Sequence, residues 1–435
     1  MSHLFEPYTV GRVLVFLSLT LWLIAAVTLH RALWGRFSLW PLVSILVLFN
    51  ANLTWGFVNY LLTSALAILA FTLWAVLPKD RRSARVLIAV PIATGLYFAH
   101  LIAFGIYGLF VVLYEIGRWL RTGSRSFGSF LSLMVWSCIQ FVPAIILFVF
   151  RDSPPWVSFA SFGTFADRVS AFYSPTLQYD LTADRLIFAY LIILFWFGLR
   201  HGGRLVLHPD MRLPLLGGLL VALVMPRILL GVAGLDVRLP FVLVVLLIAA
   251  CRFEWPQRWE RRAVIASLLA VLVVRLVLTG AAWQKHDMET RELVAAFSVM
   301  ERGSRLLPIG EREGNDIENA LHWHSASYAV IERQVFLPTL FTKHTVIDVK
   351  EAYQEIDIVI SGPIPETEFR RSEASGHWAS VEPPSPELRD WSRNYDYLLH
   401  FYPTSDDPLI PEVLEKVVNG SFFVLYKIAD PDGGD

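Results

Sequence analysis

The chain has 435 residues, of which 55% are hydrophobic and only 17% are charged. Soluble globular domains are about a quarter charged, so this composition excludes an ordinary water-soluble protein and indicates a membrane protein. The net charge is −1, and no long basic stripe points to a nucleic-acid partner. The two cysteines, Cys138 and Cys251, lie in or beside apolar runs and do not form a readable disulfide framework.

Charged residues are unevenly distributed along the chain. Up to Gly280 they form short clusters between apolar runs, and from Lys285 onward they are spread as in a soluble fold. A helix needs about 20 apolar residues to cross a bilayer core, so we expect the runs of 13 or 14 residues to be broken or re-entrant helices. The ten runs are 13–29, 37–49, 57–77, 86–99, 101–117, 129–150, 186–199, 213–226, 239–251 and 263–283. The predicted fold is therefore mainly α, with a polytopic transmembrane helix bundle of about ten membrane helices over residues 1–283.

Basic residues beside the apolar runs predict the orientation, because cytoplasmic loops carry the excess of Lys and Arg. One set of loops holds sixteen: Arg31, Arg36, Lys79, Arg81, Arg82, Arg85, Arg118, Arg121, Arg125, Arg200, Arg204, Arg212, Arg252, Arg258, Arg261 and Arg262. The alternate set holds six: Arg12, Arg151, Arg168, Arg185, Arg227 and Arg238. We therefore expect a multi-pass membrane protein with its N-terminus and its C-terminal domain outside the cytoplasm. An N-terminus that starts outside without a signal peptide indicates either a short translocated tail or an upstream helix absent from this chain.

Residues 284–435 are predicted to form a small extracytoplasmic α/β domain. Residues 285–301 continue the last membrane helix into this domain. The predicted strands are Arg305–Ile309, Thr345–Val349, Ile356–Ile360, Tyr395–Phe401 and Ser421–Ile428, with a helix over Pro411–Val418 and a loop over Ser361–Pro386.

The first candidate binding cluster lies between the second and third apolar runs, on the predicted outer side. Three amides, Asn50, Asn52 and Asn59, accompany an interfacial tryptophan, Trp55, and a glycine, Gly56. Polar groups at membrane depth cost free energy and are candidates for a function. The cluster therefore suggests an outward-facing cavity for a polar ligand. Helix capping combined with an aromatic belt is the alternative interpretation.

His100 closes the fourth apolar run at the predicted outer boundary. Its imidazole is suited to hydrogen-bonding a phosphate or a sugar hydroxyl. A structural role at a helix junction is the alternative.

A carboxylate and two guanidinium groups, from Asp236, Arg227 and Arg238, flank another outer loop. Arg suits bidentate phosphate binding, and a carboxylate can serve as a general base. Asp236 is therefore the candidate catalytic residue, and Asn50, Asn52, Asn59, His100, Arg227 and Arg238 are the candidate substrate-binding residues. The alternative is an Asp–Arg pair that holds two short helices together.

Other polar residues give weaker signals. Arg275 lies inside the last apolar run, where its side chain either faces the bundle interior or snorkels to the membrane surface, and snorkelling is the favoured explanation. The long outer loop 151–185 offers aromatic and acidic residues of the kind that bind sugars: Asp152, Pro154, Pro155, Trp156, Asp167, Tyr173, Tyr179, Asp180 and Asp184. The histidines of the C-terminal domain (His322, His324, His344, His377 and His400) have no metal-ligand spacing, and we expect neither a metal nor a cofactor.

Several stretches resemble a group of bacterial multi-pass proteins whose layout is similar to that of GT-C glycosyltransferases. They are Gly56-Phe-Val-Asn59, Tyr97-Phe-Ala-His100, the carboxylate–arginine pair Asp236 and Arg238 before a late span, and Trp391–Tyr397 ahead of Phe422–Tyr426. The resemblance covers most of the chain. It implies a membrane enzyme that uses a polyprenyl-phosphate-linked sugar.

One departure from that pattern affects the expected activity. GT-C proteins carry their catalytic acid in a large outer loop after the first helix, and that helix and loop do not match anything in this sequence. No catalytic residue is therefore carried over, and Asp236 is a candidate by position alone.

Two functions are therefore predicted for the chain. One is a transferase that moves a sugar from a lipid phosphate to a glycan acceptor, and the other is a non-catalytic scaffold or lipid-handling subunit of an envelope polysaccharide system. Membrane lipids are partners in either case. A transporter is disfavoured because the spans show no two-fold repeat.

Overall fold

A computed structural model describes residues 6–122, 126–150, 160–200, 205–229, 232–254, 257–310, 322–340, 349–357, 362–374, 388, 390–403 and 413–429. The chain divides into two compact units, Met1–Leu278 (unit 1) and Thr279–Asp435 (unit 2). The sequence analysis placed a domain boundary after residue 283.

Unit 1 is built from helices. In chain order they are α1 (Pro7–Trp34), α2 (Ile45–Leu48), α3 (Ala51–Thr54), α4 (Val58–Val76), α5 (Arg82–Ala99), α6 (Leu101–Arg121), α7 (Phe127–Cys138), α8 (Val142–Val149), α9 (Phe165–Ala171), α10 (Leu181–Arg200), α11 (Arg212–Val224), α12 (Arg238–Ala250) and α13 (Arg258–Ala296). Short 3-10 turns cover Trp40–Ser44, Ile139–Phe141 and Pro209–Met211. Short strands are β1 (Ala160–Ser161), β2 (Leu205–Leu207), β3 (Ile228–Leu229), β4 (Val232–Ala233) and β5 (Cys251–Phe253). They form two small sheets, β1-β3-β4 and β2-β5.

Six helices in the described part of the chain are long and apolar enough to cross a membrane, which agrees with a membrane protein. They cover Pro7–Trp34, Val58–Val76, Leu101–Arg121, Phe127–Val149, Leu181–Arg200 and Arg258–Val299. The predicted run 37–49 is broken into a 3-10 turn and the short helix α2, as its length suggested. The number of spans predicted from the sequence, about ten, remains a prediction.

The core of unit 1 joins α1, α4, α6 and α12. Trp22 of α1 packs edge-on against Phe241 of α12, with 4.7 Å between ring centroids. Small residues let apolar helices approach closely, which matters where lipid removes the hydrophobic drive for helix association. Gly218 of α11 illustrates this, because a Cβ there would overlap the Leu243 side chain of α12.

Arg275 is buried in the bundle, so the expectation that it snorkels is wrong. The residue is 1% exposed. Nη1 donates to Asp184 Oδ1 at 3.0 Å, and Nη2 donates to the carbonyl oxygen of Thr176 at 2.9 Å and to that of Phe49. A carboxylate and two carbonyl groups therefore satisfy the guanidinium inside unit 1, and snorkelling is not needed.

A second buried charge cluster surrounds Glu115 of α6, which is 1% exposed. Its Oε1 accepts hydrogen bonds from Arg85 Nη2 at 2.7 Å and Trp74 Nε1 at 3.0 Å. Its Oε2 accepts one from Arg118 Nη1 at 3.0 Å. The Arg85 guanidinium also stacks on the Trp74 ring at 3.7 Å. This cluster ties α4, α5 and α6 together.

Unit 2 contains a five-stranded mixed sheet. Its strands are β6 (Leu306–Gly310), β7 (Ile364–Pro365), β8 (Tyr397–Phe401), β9 (Leu414–Asn419) and β10 (Phe423–Ile428), in the spatial order β7-β6-β8-β10-β9. β6 is parallel to β7 and β8, and β10 is antiparallel to β8 and β9. The described helices are α14 (Tyr328–Arg333), α15 (Glu366–Ala374) and α16 (Trp391–Asn394), with 3-10 turns at Phe297–Val299, Ser325–Ser327 and Glu351–Ile356.

Side chains alternate between two apolar layers, one on each face of this sheet. Leu306 and Leu399 belong to one buried cluster, and their chain neighbours Leu307 and Leu398 belong to the other. This is the two-residue period of a strand with both faces covered.

Several predictions for unit 2 are confirmed and others are wrong. The strands predicted at Arg305–Ile309, Tyr395–Phe401 and Ser421–Ile428 appear as β6, β8 and β10. The predicted helix Pro411–Val418 is wrong, because the chain there forms strand β9, paired with β10. The predicted loop 361–386 contains β7 and α15 in its described part. The predicted strand 356–360 begins in a 3-10 turn, and residues 358–360 and 345–348 lie outside the described residues.

Candidate functional site

Asn50 and Asn52 are buried polar residues that cap a short helix. Asn50 is the N-cap of α3: its Oδ1 accepts hydrogen bonds from the backbone N of Asn52 at 2.9 Å and from Asn52 Nδ2 at 3.1 Å. Its Nδ2 donates to the carbonyl groups of Val47 and Leu48. The side chain of Asn50 is thus fully used in capping, as the structural alternative proposed.

Asn52 differs from Asn50 in having an unsatisfied atom. Its Nδ2 also donates to the Val237 carbonyl at 3.4 Å, which joins α3 to the turn before α12. Its Oδ1 is buried and has no hydrogen-bond partner among the described residues. A buried acceptor without a donor costs free energy.

His100 and Asn59 meet at the junction between α5 and α6. Nδ1 of His100 accepts a hydrogen bond from the backbone N of Ile102 at 3.2 Å, so His100 is the N-cap of α6. The exposed Asn59 donates to the carbonyl of Ala99 at 3.4 Å. The His100 ring also contacts Tyr60 edge-on, with 5.7 Å between centroids.

Tyr60 links this junction to Arg238. Its hydroxyl donates to the Arg238 carbonyl at 2.8 Å. The Arg238 guanidinium lies over the Phe57 ring at 4.1 Å and over the Tyr60 ring at 5.3 Å. The two aromatic rings hold the cation in place through cation–π attraction. Sequence reasoning did not assign Tyr60 or Phe57 to the site, although both lie inside the amide-rich stretch that suggested it.

Arg238 is a buried cation without an anionic partner in the part of the chain that the structure describes. It is 5% exposed. Its Nη2 donates to the Ala233 carbonyl at 3.0 Å, and its Nε has no hydrogen-bond partner among the described residues. Every other buried Arg described above has a carboxylate beside it. Because an unpaired buried charge is expensive, this guanidinium suits a bound anion.

Asp236 and Arg227 do not pair with each other. Arg227 instead donates to Asp167 Oδ1 at 2.8 Å, and Asp167 forms a capping box with Thr164 at the start of α9. Asp236 is 6% exposed, and its Oδ1 accepts only from the backbone N of Val237 at 3.1 Å among the described residues. Burial raises the pKa of Asp236, and the positive charge of Arg227 partly opposes this shift. A carboxylate with a raised pKa is a better base near neutral pH.

An apolar groove runs between α4 and α5 and reaches the residue before His100. Its volume is about 380 Å³. The lining is Leu66, Leu69, Ala70, Leu73, Ile92, Gly95, Leu96 and Ala99. The groove therefore ends beside the Asn59 contact with Ala99, close to the polar cluster.

The predicted sugar-binding loop contributes little to this cluster. Asp167 is held by Arg227 and Asp184 by Arg275, so both carboxylates form ion pairs. Residues 152–156, with the predicted Trp156, lie outside the described residues.

The structure thus brings Asn52, Asn59, His100 and Arg238 together around Tyr60, and places Asp236 in the turn that leads into Arg238. Searches among protein families, curated proteins and solved structures find no match to this chain.

Proposed function

We propose that the chain is a GT-C-like glycosyltransferase, which transfers a sugar from a polyprenyl-phosphate donor to a glycan acceptor at the outer face of a bacterial inner membrane. The proposal includes the arrangement of about ten membrane helices and the extracytoplasmic placement of both the N-terminus and unit 2. The single observation that carries it is the buried Arg238 guanidinium, which has no carboxylate partner among the described residues. A lipid phosphate would supply the missing negative charge.

In this proposal each polar residue of the cluster has a different role. Arg238 binds the phosphate through Nε and the remaining guanidinium hydrogens, held by the rings of Phe57 and Tyr60. Asn52 Oδ1 accepts a hydrogen bond from a sugar hydroxyl. Arg227 lies at the exposed edge, where its contact with Asp167 leaves it within reach of an incoming ligand.

The reaction requires a base and a stabilised leaving group. The acceptor hydroxyl attacks the anomeric carbon, and Asp236 takes its proton as the new C–O bond forms. The bond from that carbon to the phosphate oxygen breaks, and the phosphate leaves with the electron pair. Arg238 stabilises the charge that develops on the departing phosphate.

The apolar groove between α4 and α5 supports a lipid-linked donor. A polyprenyl chain is a long, branched hydrocarbon, and the groove is lined entirely by apolar residues. Because the groove ends next to Ala99 and Asn59, a chain lying in it would bring its phosphate to the polar cluster.

The test is binding of a synthetic polyprenyl phosphate to the full chain in lipid nanodiscs. We expect Arg238→Gln to weaken binding at least about tenfold, which corresponds to about 1.4 kcal/mol. Arg262→Gln, an exposed arginine of α13, is the matched control and should bind as the unaltered chain does. The uncharged polyprenol should bind more weakly than the phosphate. Equal affinity of Arg238→Gln and Arg262→Gln would show that Arg238 does not bind the phosphate.

A non-catalytic scaffold or lipid-handling subunit is the second candidate. It is favoured by the capping roles of Asn50 and His100, which are satisfied without any ligand. The two functions differ in Asp236. If polyprenyl phosphate binds but Asp236→Asn leaves transfer in a cell-envelope glycan assay unchanged, Asp236 is not the base and lipid handling becomes the better account.

A further inference from the structure

Two histidines and a glutamate converge in unit 2, which includes the end of α13 from Thr279 onward. His286 and Glu289 lie three residues apart on α13, which places them on one face of the helix. Glu289 Oε2 is 3.1 Å from His286 Nδ1 and 3.2 Å from His322 Nε2. One ligand atom from each residue lies within 4.8 Å of the other two.

We propose that His286, Glu289 and His322 bind a divalent transition-metal ion of the zinc type. Two imidazole nitrogens and a carboxylate oxygen are a donor set that zinc prefers. In a tetrahedral zinc site with bonds of about 2.0 Å, ligand atoms lie roughly 3.3 Å apart. The two separations from Glu289 Oε2 are already close to that value, so a metal ion needs only small side-chain shifts.

The surroundings of His322 favour metal binding through Nε2. Its Nδ1 lies 3.3 Å from Ser325 Oγ, and donation from Nδ1 to that hydroxyl leaves the Nε2 lone pair for the ion. The ring is 3% exposed and stacks on Phe422, with 4.1 Å between centroids. The His322 imidazole is therefore fixed in orientation before any ion arrives.

The other two ligands keep the site open to solvent. His286 is 25% exposed and Glu289 is 20% exposed in their side chains. Lys285 Nζ lies 3.7 Å from Oε1 of Glu289, which leaves Oε2 facing the two histidines. Three protein ligands leave a fourth position for water or another ligand, as in zinc sites that are not purely structural.

Sequence spacing did not reveal this site, and the prediction that no metal binds differs from the proposal. His322 lies 33 residues after Glu289 in the chain. Such a separation matches none of the short spacings typical of zinc motifs. His286-Asp-Met-Glu289 gives an i,i+3 pair, but this pair alone is too common to indicate a metal.

The test is zinc binding by the full-length chain, purified without a polyhistidine tag and stripped with a chelator. Titration calorimetry with zinc chloride should show one ion per chain, and elemental analysis of the dialysed protein should agree. We expect His286→Gln and Glu289→Gln each to weaken binding at least about tenfold. Ser325→Ala should weaken it by about tenfold to a hundredfold, because the His322 ring loses the hydroxyl that orients it.

His324→Gln is the matched control, because His324 is exposed and lies two residues after His322 without joining the cluster. It should bind zinc as the unaltered chain does. The His286 side chain is partly exposed, so we expect the His286→Gln variant to fold. Circular dichroism checks this independently of zinc binding. Absence of stoichiometric zinc in the unaltered chain, or equal affinities of His286→Gln and His324→Gln, would mean that the three side chains only hydrogen-bond one another.

Discussion

Arg275→Met tests the buried ion pair that joins α13 to α10. The side chains of Arg275 and Asp184 are 2% and 3% exposed, so solvent screens their interaction little. Removing one partner of a buried pair costs about 3–5 kcal/mol, because the other charge stays buried without compensation. Met retains the apolar length of the side chain, so the change removes chiefly the charge and its hydrogen bonds.

The lost hydrogen bonds place the expected destabilisation of Arg275→Met near the middle of that range. Besides pairing with the carboxylate, the guanidinium donates hydrogen bonds to the carbonyl groups of Thr176 and Phe49. Both carbonyl groups lose this donor in the variant. A buried polar group left without its partner costs about 1–3 kcal/mol. Asp184 keeps only its hydrogen bond from the backbone N of Gln178 among the contacts described. We therefore expect a loss of about 4 kcal/mol in the free energy of unfolding.

The assay is equilibrium unfolding of the full chain in mixed micelles, followed by tryptophan fluorescence. Arg262→Met is the control, because Arg262 lies on the same helix and is exposed. The double variant Asp184→Asn/Arg275→Met should lose less than the sum of the two single variants, by at least about 1 kcal/mol. The reasoning is refuted if Arg275→Met unfolds within about 0.5 kcal/mol of Arg262→Met.

Three further predictions concern other parts of the molecule. Glu115→Gln should destabilise unit 1 by about 3 kcal/mol in the same micelle assay, because the buried Arg85 loses its counter-charge; an unchanged unfolding curve would contradict this. Gly362→Ala should lower the stability of unit 2 by about 1–3 kcal/mol in a thermal melt, because its φ is +90° and a Cβ would overlap the Trp323 indole. Burial lowers the pKa of His400, so the unfolded chain takes up a proton below pH ~6.5 that the folded unit resists. The melting temperature of unit 2 should therefore fall between pH 7.5 and 5.5, and His400→Asn should reduce that dependence; equal pH dependence of both proteins would refute it.

Hydropathy indicated the long apolar helices, because it depends on each segment alone. Run length was a poorer guide, since the 14-residue run 186–199 lies inside the unbroken helix α10 (Leu181–Arg200). The ion pairs were not predictable in this way. Burying the charge of Arg275 alone would cost free energy, and its ion pair with Asp184 offsets that cost. Asp184 lies 91 residues earlier in the chain. Nothing in the local sequence of either residue identifies the other.

The errors in unit 2 have a similar cause. A proline followed by mixed apolar and charged residues suggested a helix over 411–418. Pairing with β10 instead stabilises a strand over Leu414–Asn419. Cross-strand packing decides such cases more than intrinsic propensity. The candidate site could be selected from the sequence because the amides and Arg238 are polar residues in apolar surroundings, and its role stays a prediction. Tyr60, which joins them, was missed since an aromatic residue in an apolar helix gives no distinct signal.

The Arg275–Asp184 pair also bears on how the protein is made. Asp184 is synthesised before Arg275, so its carboxylate lacks this counter-charge until α13 enters the membrane. An arginine in a membrane helix costs about 2.5–3.5 kcal/mol on insertion scales, and the most apolar 18-residue stretch of Arg258–Val299, with a mean hydropathy of 2.4, offsets that cost. The bundle thus gains its last internal contact only when its final helix arrives. A chain stalled before α13 would leave the Asp184 carboxylate inside unit 1 without a guanidinium partner.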